Sequence, residues 1–464
     1  MGRDVYGVTR SLMMSTAGAV SAYHELLTDD ALAQETSAVL TSQLSGRGLV
    51  FGGRPLATVL RPRLVTRTQY HRVVDLTQRL MPAFDRILAA ALADSGVREQ
   101  FRLAEWEEAL VGVNPGFPHA SPTSRLDYFV NDETGEISLT EYNAETPAGA
   151  AYNDALSDTF MDLPVMRRFA RDWAVLPIPT RHGVIRSLLD AWSAWRGVRE
   201  VPQIGIVDWK EVPTYSEFEL FQTHFRNLGI PCSIVDPRDA AYDGETLTFA
   251  GTPVTLIYKR VLLHELAERG GADHLIFRAV RDGKVCMVNP PRCKILHKKA
   301  SLAALTDERN AQLLSAEQHA AVASCIPWTR IVEERTTAFH GEQIDLLSYT
   351  SAHRDRFVLK PNDDYGGAGI VLGWTVDGDT WNAALRNAVT NPYVVQERVG
   401  IPSEGFPSLV DGKSQVVDRM YDTAPFLCDG AYMDGWMCRL STAALLNVTA
   451  GGGSTVPTFL VEPR

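Results

Sequence analysis

The chain has 464 residues, 45% of them hydrophobic and 22% charged, with a formal net charge of −11. That length allows two or three structural units, and the composition is that of an ordinary globular protein. The negative charge argues against a nucleic-acid binder, which usually presents a basic face, but not against an anionic small molecule held by a few lysines. The six cysteines form no CxxC pair and no apolar run could cross a bilayer, so we expect a cytoplasmic protein with reduced thiols and no membrane partner.

In chain order, the first predicted elements are helices, which account for most of residues 10–110. Over residues 70–93 apolar side chains recur at three- and four-residue spacing, the pattern of an amphipathic helix. Pro82 lies inside this pattern and is expected to kink or divide the helix. Two alternating segments follow at 125–130 and 137–142, with turn residues between them, and they predict a β-hairpin.

Helical and strand-like segments then alternate between about residues 170 and 280, which predicts a small domain with a mostly parallel sheet. The strands are expected at 203–207, 232–235 and 255–258, and the helices at 188–195 and 216–228. Further on, the pattern predicts helices at 302–323 and 381–389, and strands at 356–360, 370–374 and 393–399. The fold class is therefore α/β or α+β.

A glycine-rich loop joins the strands predicted at 356–360 and 370–374. It begins at Lys360 and contains Gly366, Gly367 and Gly369. Glycines allow backbone N–H groups to turn toward a bound anion, and the lysine adds a charge for phosphates. The loop lacks the Walker pattern and connects strand to strand, so we expect a flap over a nucleotide. The alternative is a plain hairpin whose glycines serve the turn.

The hairpin predicted at 125–142 carries residues that suit a magnesium site. Arg125 and Asp127 share one face of the first strand, Glu141 and Asn143 share one face of the second, and Gly135 in the turn can adopt a positive φ. Folding the hairpin brings three oxygen ligands and one guanidinium together, which favours a bound Mg²⁺ with a cation beside it. The alternative is a hairpin whose charged face is simply solvated.

The order of these motifs resembles that of a known family. Arg-x-Asp and Glu-x-Asn come first, and Lys-Pro-x-x-acid-x-Gly-Gly follows much later. This is the order in circularly permuted (type 2) ATP-grasp enzymes, similar to eukaryotic-type glutathione synthetase and to the synthetase domain of glutathionylspermidine synthase. The resemblance runs from about residue 55 to the C-terminus. It implies an ATP-grasp fold in permuted order, with the small parallel-sheet domain binding substrate.

The resemblance also implies a division of the chain into five parts. These are a mainly helical part of the core (1–120), a metal-binding hairpin (121–165), a small α/β substrate domain (166–283), a nucleotide-binding lid (284–400) and a C-terminal part of the core with a substrate loop (401–464).

Individual roles follow from the same resemblance. Arg125 resembles the arginine that stabilises the transferred phosphoryl group. The implied Mg²⁺ ligands are Asp127, Glu141, Asn143 and Asp364. The implied ATP-binding residues are Lys299, Lys360, Gly366, Gly367, Gly369, Gln396 and Glu397, with Lys294 or Lys298 in place of Lys299 if the register differs. The implied substrate-binding residues are Arg260, Arg439, Gly451, Gly452 and Gly453.

For several of these residues a purely structural role is the alternative to a role in binding. Lys299 could be a surface charge, and Arg260 could form a structural ion pair with Glu265 or Asp273. The glycine run at 451–453 could be a flexible loop. His264 and His297 have no partner at ligand spacing and are expected to be solvated or core histidines.

The activity implied by the resemblance is an ATP-dependent carboxylate–amine ligation that forms an amide or peptide bond through an acyl phosphate and releases ADP and phosphate. Its partners would be ATP, Mg²⁺, an amino-acid or peptide-like carboxylate and an amine. Two alternatives remain open at this point: a phosphotransferase that uses the same cleft, and a nucleotide-binding protein without catalysis.

Overall fold

The computed structural model describes residues 16–364, 366–443 and 453–464. A nine-stranded sheet forms the centre of the molecule. Its strands are Arg63–Val65, Thr123–Val130, Ile137–Asn143, Trp173–Pro177, Ser403–Val410, Lys413–Tyr421, Ala424–Cys428, Tyr432–Ser441 and Ser454–Pro463. The predicted hairpin lies within this central sheet as an antiparallel pair of strands, and Gly135 in its turn has a φ of 75°. Both predictions about the hairpin are confirmed.

Helices cover the central sheet, and the longest of them, Arg67–Ala93, runs without interruption through Pro82. Of the two outcomes expected at Pro82, division of the helix is therefore wrong, and a kink stays a prediction. Thr66 begins the helix because its hydroxyl accepts from the Gln69 N–H at 3.2 Å while the Gln69 side chain accepts from the Thr66 N–H at 2.8 Å. The helix buries Leu76, Leu80, Phe84 and other apolar side chains against the hairpin. The other N-terminal helices are Ala17–Leu26, Asp30–Gly46, Ser95–Glu99 and Glu105–Val111.

The small parallel sheet has four strands, Ile204–Val207, Cys232–Val235, Leu256–Lys259 and Cys286–Val288, all parallel as predicted. Near it lie the helices Ala150–Met161, Arg181–Arg196, Tyr215–Asn227, Leu263–Ala267 and Leu275–Arg281, and a three-stranded sheet of Ala240–Tyr242, Leu247–Phe249 and Thr252–Pro253. The helix Pro164–Phe169 packs instead against the N-terminal helices Ala17–Leu26 and Asp30–Gly46. Parallel strands buried on both faces explain the continuous apolar runs in this part of the sequence.

A second four-stranded sheet holds the glycine-rich loop. Its order is Thr329–Ile331, Tyr393–Glu397, Phe357–Pro361 and Val371–Leu372, with every pair antiparallel. Helices Leu346–Ala352 and Gly378–Thr390 belong to the same part of the chain, and Trp381 of the second is fully buried. The glycine-rich loop, residues 360–369, therefore connects two neighbouring strands, as predicted.

Two predicted elements differ from the structure. The helix expected at 302–323 is divided into Ala300–Thr306, a 3₁₀ segment Glu308–Leu313 and Ala316–Cys325. Asp307 and Ser315 cause the breaks, because their side chains accept backbone N–H groups and so begin new segments. The strand expected at 370–374 is only Val371–Leu372, since Thr375 turns back to bond the Leu372 carbonyl.

Within the described residues, no helix has both the length and the apolar character needed to span a membrane. All six cysteines are buried and none forms a disulfide. The five-part division of the chain stays a prediction.

Candidate functional site

The hairpin strands place four of the predicted site residues opposite one another. Arg125 pairs in register with Asn143, and Asp127 with Glu141. The register then shifts, because Tyr128 pairs with Leu139 and Thr140 is left over between the two pairs. Such a bulge bends the strand and leaves a backbone group free of the ladder. The Thr140 carbonyl is bound from outside the hairpin by Lys360.

Asp127 is the centre of the arginine side of the site. Its carboxylate accepts two hydrogen bonds from Arg125, at 2.8 and 3.1 Å, one from the Asn143 amide at 2.9 Å and one from Arg439 at 2.6 Å. Burial would raise the pKa of Asp127, but the two guanidinium groups outweigh it and hold the pKa at about 2. Asp127 is thus an ionised, 2% exposed carboxylate with both oxygens engaged by donors.

Asp422 completes the arginine side, and the sequence analysis missed it. It follows the strand Lys413–Tyr421 and accepts from the Arg439 backbone N–H at 2.8 Å and from its Nε at 2.7 Å, with a further contact to Nη2. Burial raises the pKa of Asp422 even though Arg439 opposes this. No local motif marks Asp422, because its partner lies 17 residues further along the chain and on the neighbouring strand.

Lys299 begins the lysine side of the site. Its ammonium contacts Glu141 Oε1 at 3.1 Å and the Asp364 carbonyl oxygen at 2.9 Å, so it joins the hairpin to the glycine-rich loop. Lys299 is 5% exposed, so it is not a surface charge. Burial would raise the pKa of Glu141, but Lys299 outweighs this and lowers it.

Lys360 is the second lysine, and both of its hydrogen-bond acceptors are neutral. Its ammonium donates to the Thr140 carbonyl at 3.1 Å and to Gln396 Oε1 at 2.7 Å. Gln396 is held in turn by its bond to Thr329 Oγ1 at 2.9 Å. Burial and the nearby Lys299 lower the pKa of Lys360 to about 8. An anion placed beside this ammonium would relieve both effects.

The three glycines of the loop have the backbone conformation that requires glycine. Gly366, Gly367 and Gly369 have φ values of 66°, 78° and 68°. At Gly369 a Cβ would lie 2.7 Å from Pro361 Cγ, so the loop is closely packed there. The Asp364 side chain is exposed, on the same residue whose carbonyl contacts Lys299.

Other predicted residues occupy places with clear structural partners. Arg260 is buried and donates to Glu217 at 3.2 Å and to the Pro147 carbonyl at 2.6 Å. It therefore forms a structural ion pair, but with Glu217 and not with Glu265 or Asp273, the partners considered from the sequence. Glu397 contacts His340 at 2.9 Å. The strand Tyr393–Glu397 has a neighbouring strand on each side, so its backbone N–H and C=O groups are directed toward those two strands.

The late glycine run is only partly described. Gly453 immediately precedes the strand Ser454–Pro463, which lies next to the strand of Arg439. Gly451 and Gly452 lie outside the described residues. Their predicted role in substrate binding stays a prediction, as do the individual roles assigned to the other site residues.

A buried charge cluster lies beneath the glycine-rich loop. It contains three carboxylates, three lysines and one histidine: Glu107, Glu145, Asp363, Lys259, Lys294, Lys298 and His297. Burial and Lys294 lower the pKa of His297 to about 4, so its ring is neutral at pH 7, and the rest of the cluster has three acidic and three basic side chains. Lys294 and Lys298 contact Asp363 and not Glu141, which leaves Lys299 as the lysine that faces the hairpin.

Glu145, His297 and Asp363 have ligand atoms within 4.8 Å of one another, a spacing that a metal ion could bridge. The ammonium of Lys294 occupies this place, since it contacts Glu145 Oε2 at 3.0 Å and also Asp363 Oδ1. A divalent cation would have to expel a 1% exposed lysine from its two carboxylates. The cluster is therefore better described as an ion-pair network.

The hairpin and the glycine-rich loop, which carry the contacts of Lys299, offer other oxygen donors for Mg²⁺. Glu141 offers a carboxylate and Asn143 an amide oxygen on the same strand, and Asp364 offers an exposed carboxylate. This donor set fits the preference of Mg²⁺ for oxygen. The Asn143 amide nitrogen already donates to Asp127, which fixes which end of the amide is free for a cation.

Comparisons with known proteins support the fold. No family model and no curated protein matches the chain. Among solved structures, it is similar to the apo form of a glutathione synthetase-like effector from Globodera pallida, with a TM-score of 0.60 and 14% identity over 94% of this chain and 99% of that one. At this identity the likeness shows the fold alone. A mixed α/β fold like that of glutathione synthetase-like proteins is thus confirmed, whereas the ATP-grasp assignment and the permuted order stay predictions.

Proposed function

We propose that the chain is an ATP-dependent ligase that joins a small carboxylate to an amine, within a circularly permuted ATP-grasp fold. The single observation that carries this proposal is a pair of ammonium groups, that of the buried Lys299 and that of the half-buried Lys360, which contact the adjacent residues Glu141 and Thr140 beside a glycine-rich loop. Two cations at one point of a hairpin favour a polyanion such as a triphosphate. The glutathione synthetase-like fold is consistent with the proposal.

The loop residues Gly366, Gly367 and Gly369 would cover the phosphates, and Lys299 and Lys360 would contact them directly. Positive φ at these glycines turns backbone groups in directions that other residues rarely allow, which suits a close approach to an anion. Gln396 would orient Lys360 through its 2.7 Å hydrogen bond. Glu397 at the end of the same strand is proposed to contact the ribose.

Glu141, Asn143 and Asp364 would hold Mg²⁺, with Asp127 as the further ligand that the resemblance implies. When bound, Mg²⁺ would neutralise the phosphate oxygens and orient the chain of phosphates. In the described structure Asp127 has four donors around its carboxylate, so its direct contribution here is to hold the two guanidinium groups in place.

The reaction would proceed in two displacements. An oxygen of the substrate carboxylate attacks the γ-phosphorus, the bond to the β-phosphate oxygen breaks, and ADP and an acyl phosphate form. The amine nitrogen then attacks the acyl carbon, the carbon–oxygen bond to phosphate breaks, and the amide, inorganic phosphate and one proton are released. Arg125 would stabilise charge on the transferred phosphoryl group, and Arg439 would bind an anionic group of the substrate. Arg260 and the glycines at 451–453 are the further proposed substrate contacts.

The test is an assay of purified protein with Mg-ATP and pools of amino acids, short peptides and amines. ADP release that requires an amine, together with a new product mass equal to acid plus amine minus water, supports the ligase. A stable phosphorylated product without amide would indicate a phosphotransferase, and nucleotide binding without turnover would indicate a protein that only binds. Release of AMP in place of ADP would exclude the acyl-phosphate route.

A further inference from the structure

The first residues of the glycine-rich loop contact one short segment, residues 294–300, through three successive residues. Asn362 accepts the Lys299 N–H through its carbonyl at 2.9 Å and the Ala300 N–H through its side chain at 2.8 Å. Asp363 accepts from Lys294 and from Lys298, the latter at 3.0 Å. The Asp364 carbonyl accepts from Lys299 at 2.9 Å. We call residues 362–364 and 294–300 together the clasp.

The clasp joins the two lysines that would bind phosphate. Lys299 belongs to one half of it, and Lys360 lies two residues before the other half. Asn362 is itself fixed, since its side chain donates to the Phe101 carbonyl at 2.9 Å and its N–H donates to the Pro392 carbonyl at 2.9 Å. The separation of the two ammonium groups therefore depends on how residues 362–364 sit on residues 294–300.

Asp363 is the charged link in this contact. Each of its carboxylate oxygens contacts a different lysine, Oδ1 with Lys294 and Oδ2 with Lys298. Both lysines are under 6% exposed, whereas the Asp363 side chain is 26% exposed and stands at the rim. Without this carboxylate Lys294 would keep Glu145 and Glu107 as acidic partners, and Lys298 would keep Glu107 alone. Charge-assisted hydrogen bonds of this kind are stronger than neutral ones.

We propose that Asp363 is a positioning residue that holds the glycine-rich loop on residues 294–300 and thereby fixes Lys299 relative to Lys360 before a nucleotide arrives. This inference rests on the proposed function for the identity of the ligand, but not for the contact itself. Asp363 touches neither of the two phosphate-facing ammonium groups and acts through the backbone on either side of it. The residue is adjacent to Asp364, the proposed Mg²⁺ ligand, and has a different task.

If Asp363 acted only through its negative charge, its removal would change the affinity for ATP in the opposite direction. Removal of a carboxylate near a phosphate site makes the site more positive and should strengthen the binding of ATP. Loss of a positioning contact should weaken it, because the two cations would no longer be held at one spacing. The direction of the change in nucleotide affinity therefore separates the two explanations.

The variants are Asp363→Asn, which keeps the shape and removes the charge, and the double variant Asp363→Asn with Lys298→Gln, which removes one acidic and one basic group together. The double variant guards against a failure to fold caused by an unbalanced buried lysine. Asp379→Asn is the matched control. Asp379 is exposed in the first turn of helix Gly378–Thr390, and its substitution changes the net charge by the same amount as Asp363→Asn.

The first measurement is hydrogen exchange of the intact protein without nucleotide. We expect both Asp363 variants to raise the exchange rate of the Lys299 and Ala300 amides, which donate to Asn362, by about tenfold, and the control to leave it unchanged. Unchanged exchange in both Asp363 variants would overturn the inference, whether or not the protein binds ATP.

The second measurement is the dissociation constant of ATP with Mg²⁺ present and absent. We expect about tenfold weaker binding for both Asp363 variants under both conditions. Equal or tighter binding in both would overturn the inference. If the unaltered protein binds no nucleotide, the proposed function fails, and the exchange measurement still decides whether Asp363 holds the clasp together.

Discussion

The arginine side and the lysine side of the candidate site differ in how their cations are neutralised. Arg125 and Arg439 share Asp127, and Arg439 also binds Asp422, so each guanidinium has a carboxylate in direct contact. Within the described part of the chain, Lys299 contacts one carboxylate, Glu141, while Lys360 donates to two neutral oxygens, the Thr140 carbonyl and the Gln396 amide. The arginines are held rigidly by fixed partners, whereas the two lysines share one contacting carboxylate and retain one uncompensated positive charge.

This difference in charge neutralisation suits the arginine side to catalysis and the lysine side to anion binding. A guanidinium locked by carboxylates is preorganised, so it can stabilise a charge that appears only during reaction without first rearranging. A half-buried ammonium that donates to neutral oxygens, such as that of Lys360, is costly by itself and gains most when an anion binds. We therefore expect changes on the arginine side to affect turnover and changes on the lysine side to affect nucleotide affinity.

The largest effect is expected for Arg125→Ala. Turnover should fall by about a thousandfold, while the dissociation constant of ATP changes little, because Arg125 contacts Asp127 and the Ala148 carbonyl and neither lysine. Arg125→Lys serves as the control that keeps the charge and loses the two-point contact with Asp127. Steady-state ADP release and equilibrium nucleotide binding check the prediction. Near-normal turnover of the alanine variant would remove the hairpin from the mechanism.

Lys360→Met should weaken ATP binding by about ten- to a hundredfold. Because the pKa of Lys360 is lowered to about 8, its ammonium is present below that pH, and the ATP affinity of the unaltered protein should fall as the pH rises through 8. Lys360→Arg stays charged, so its affinity should be flat across pH 7 to 9. Binding titrations at several pH values check this, and a matching pH dependence in the arginine variant would assign the titration to another group.

The same lowered pKa has a consequence for stability. The unfolded chain keeps the Lys360 proton to higher pH than the folded protein does, so the contribution of this lysine to the free energy of unfolding should rise as the pH increases above 8. Lys360→Met should lack this rise. Urea unfolding of both proteins at pH 7 and pH 9 gives the comparison, and an equal rise in both would contradict it.

Asp422→Asn should lower turnover by about tenfold, since it weakens the hold on Arg439 and leaves the Asp127 contact in place. If Arg439 binds the substrate, the KM for the acid should rise while the dissociation constant of ATP stays the same. A change in ATP affinity alone would show that Arg439 acts on the nucleotide and would contradict the assignment of the arginine side to turnover.

The smallest effect is expected for alanine at two loop glycines. Both Gly366 and Gly369 have positive φ, but a Cβ at Gly369 would meet Pro361 at 2.7 Å and one at Gly366 meets nothing within 4 Å. Gly369→Ala should therefore weaken ATP binding by a few-fold more than Gly366→Ala. Calorimetric titration of the two variants side by side checks this, and equal effects would show that backbone conformation alone is responsible.

Much of the fold could be predicted from local patterns. The hairpin, the positive φ of Gly135, the parallel strands of the small sheet and the strand-to-strand connection of the glycine-rich loop all follow from alternation, turn residues and glycine placement. The division at Asp307 could not, because an apolar periodicity over 302–323 continues through a residue that the structure uses as a cap.

By itself the sequence determined which local segments could carry the site: Arg125 with Asp127, Glu141 with Asn143, and Lys360 with its glycines. Each lies within a few residues of its partner, where strand or loop geometry dictates the placement. Only the tertiary structure decided that Arg439 and Asp422 meet Asp127, that Thr140 bulges toward Lys360, and that Asp363 holds Lys294 and Lys298. These contacts join residues far apart in the chain, and charge pairing over such distances has no periodic trace in a single sequence.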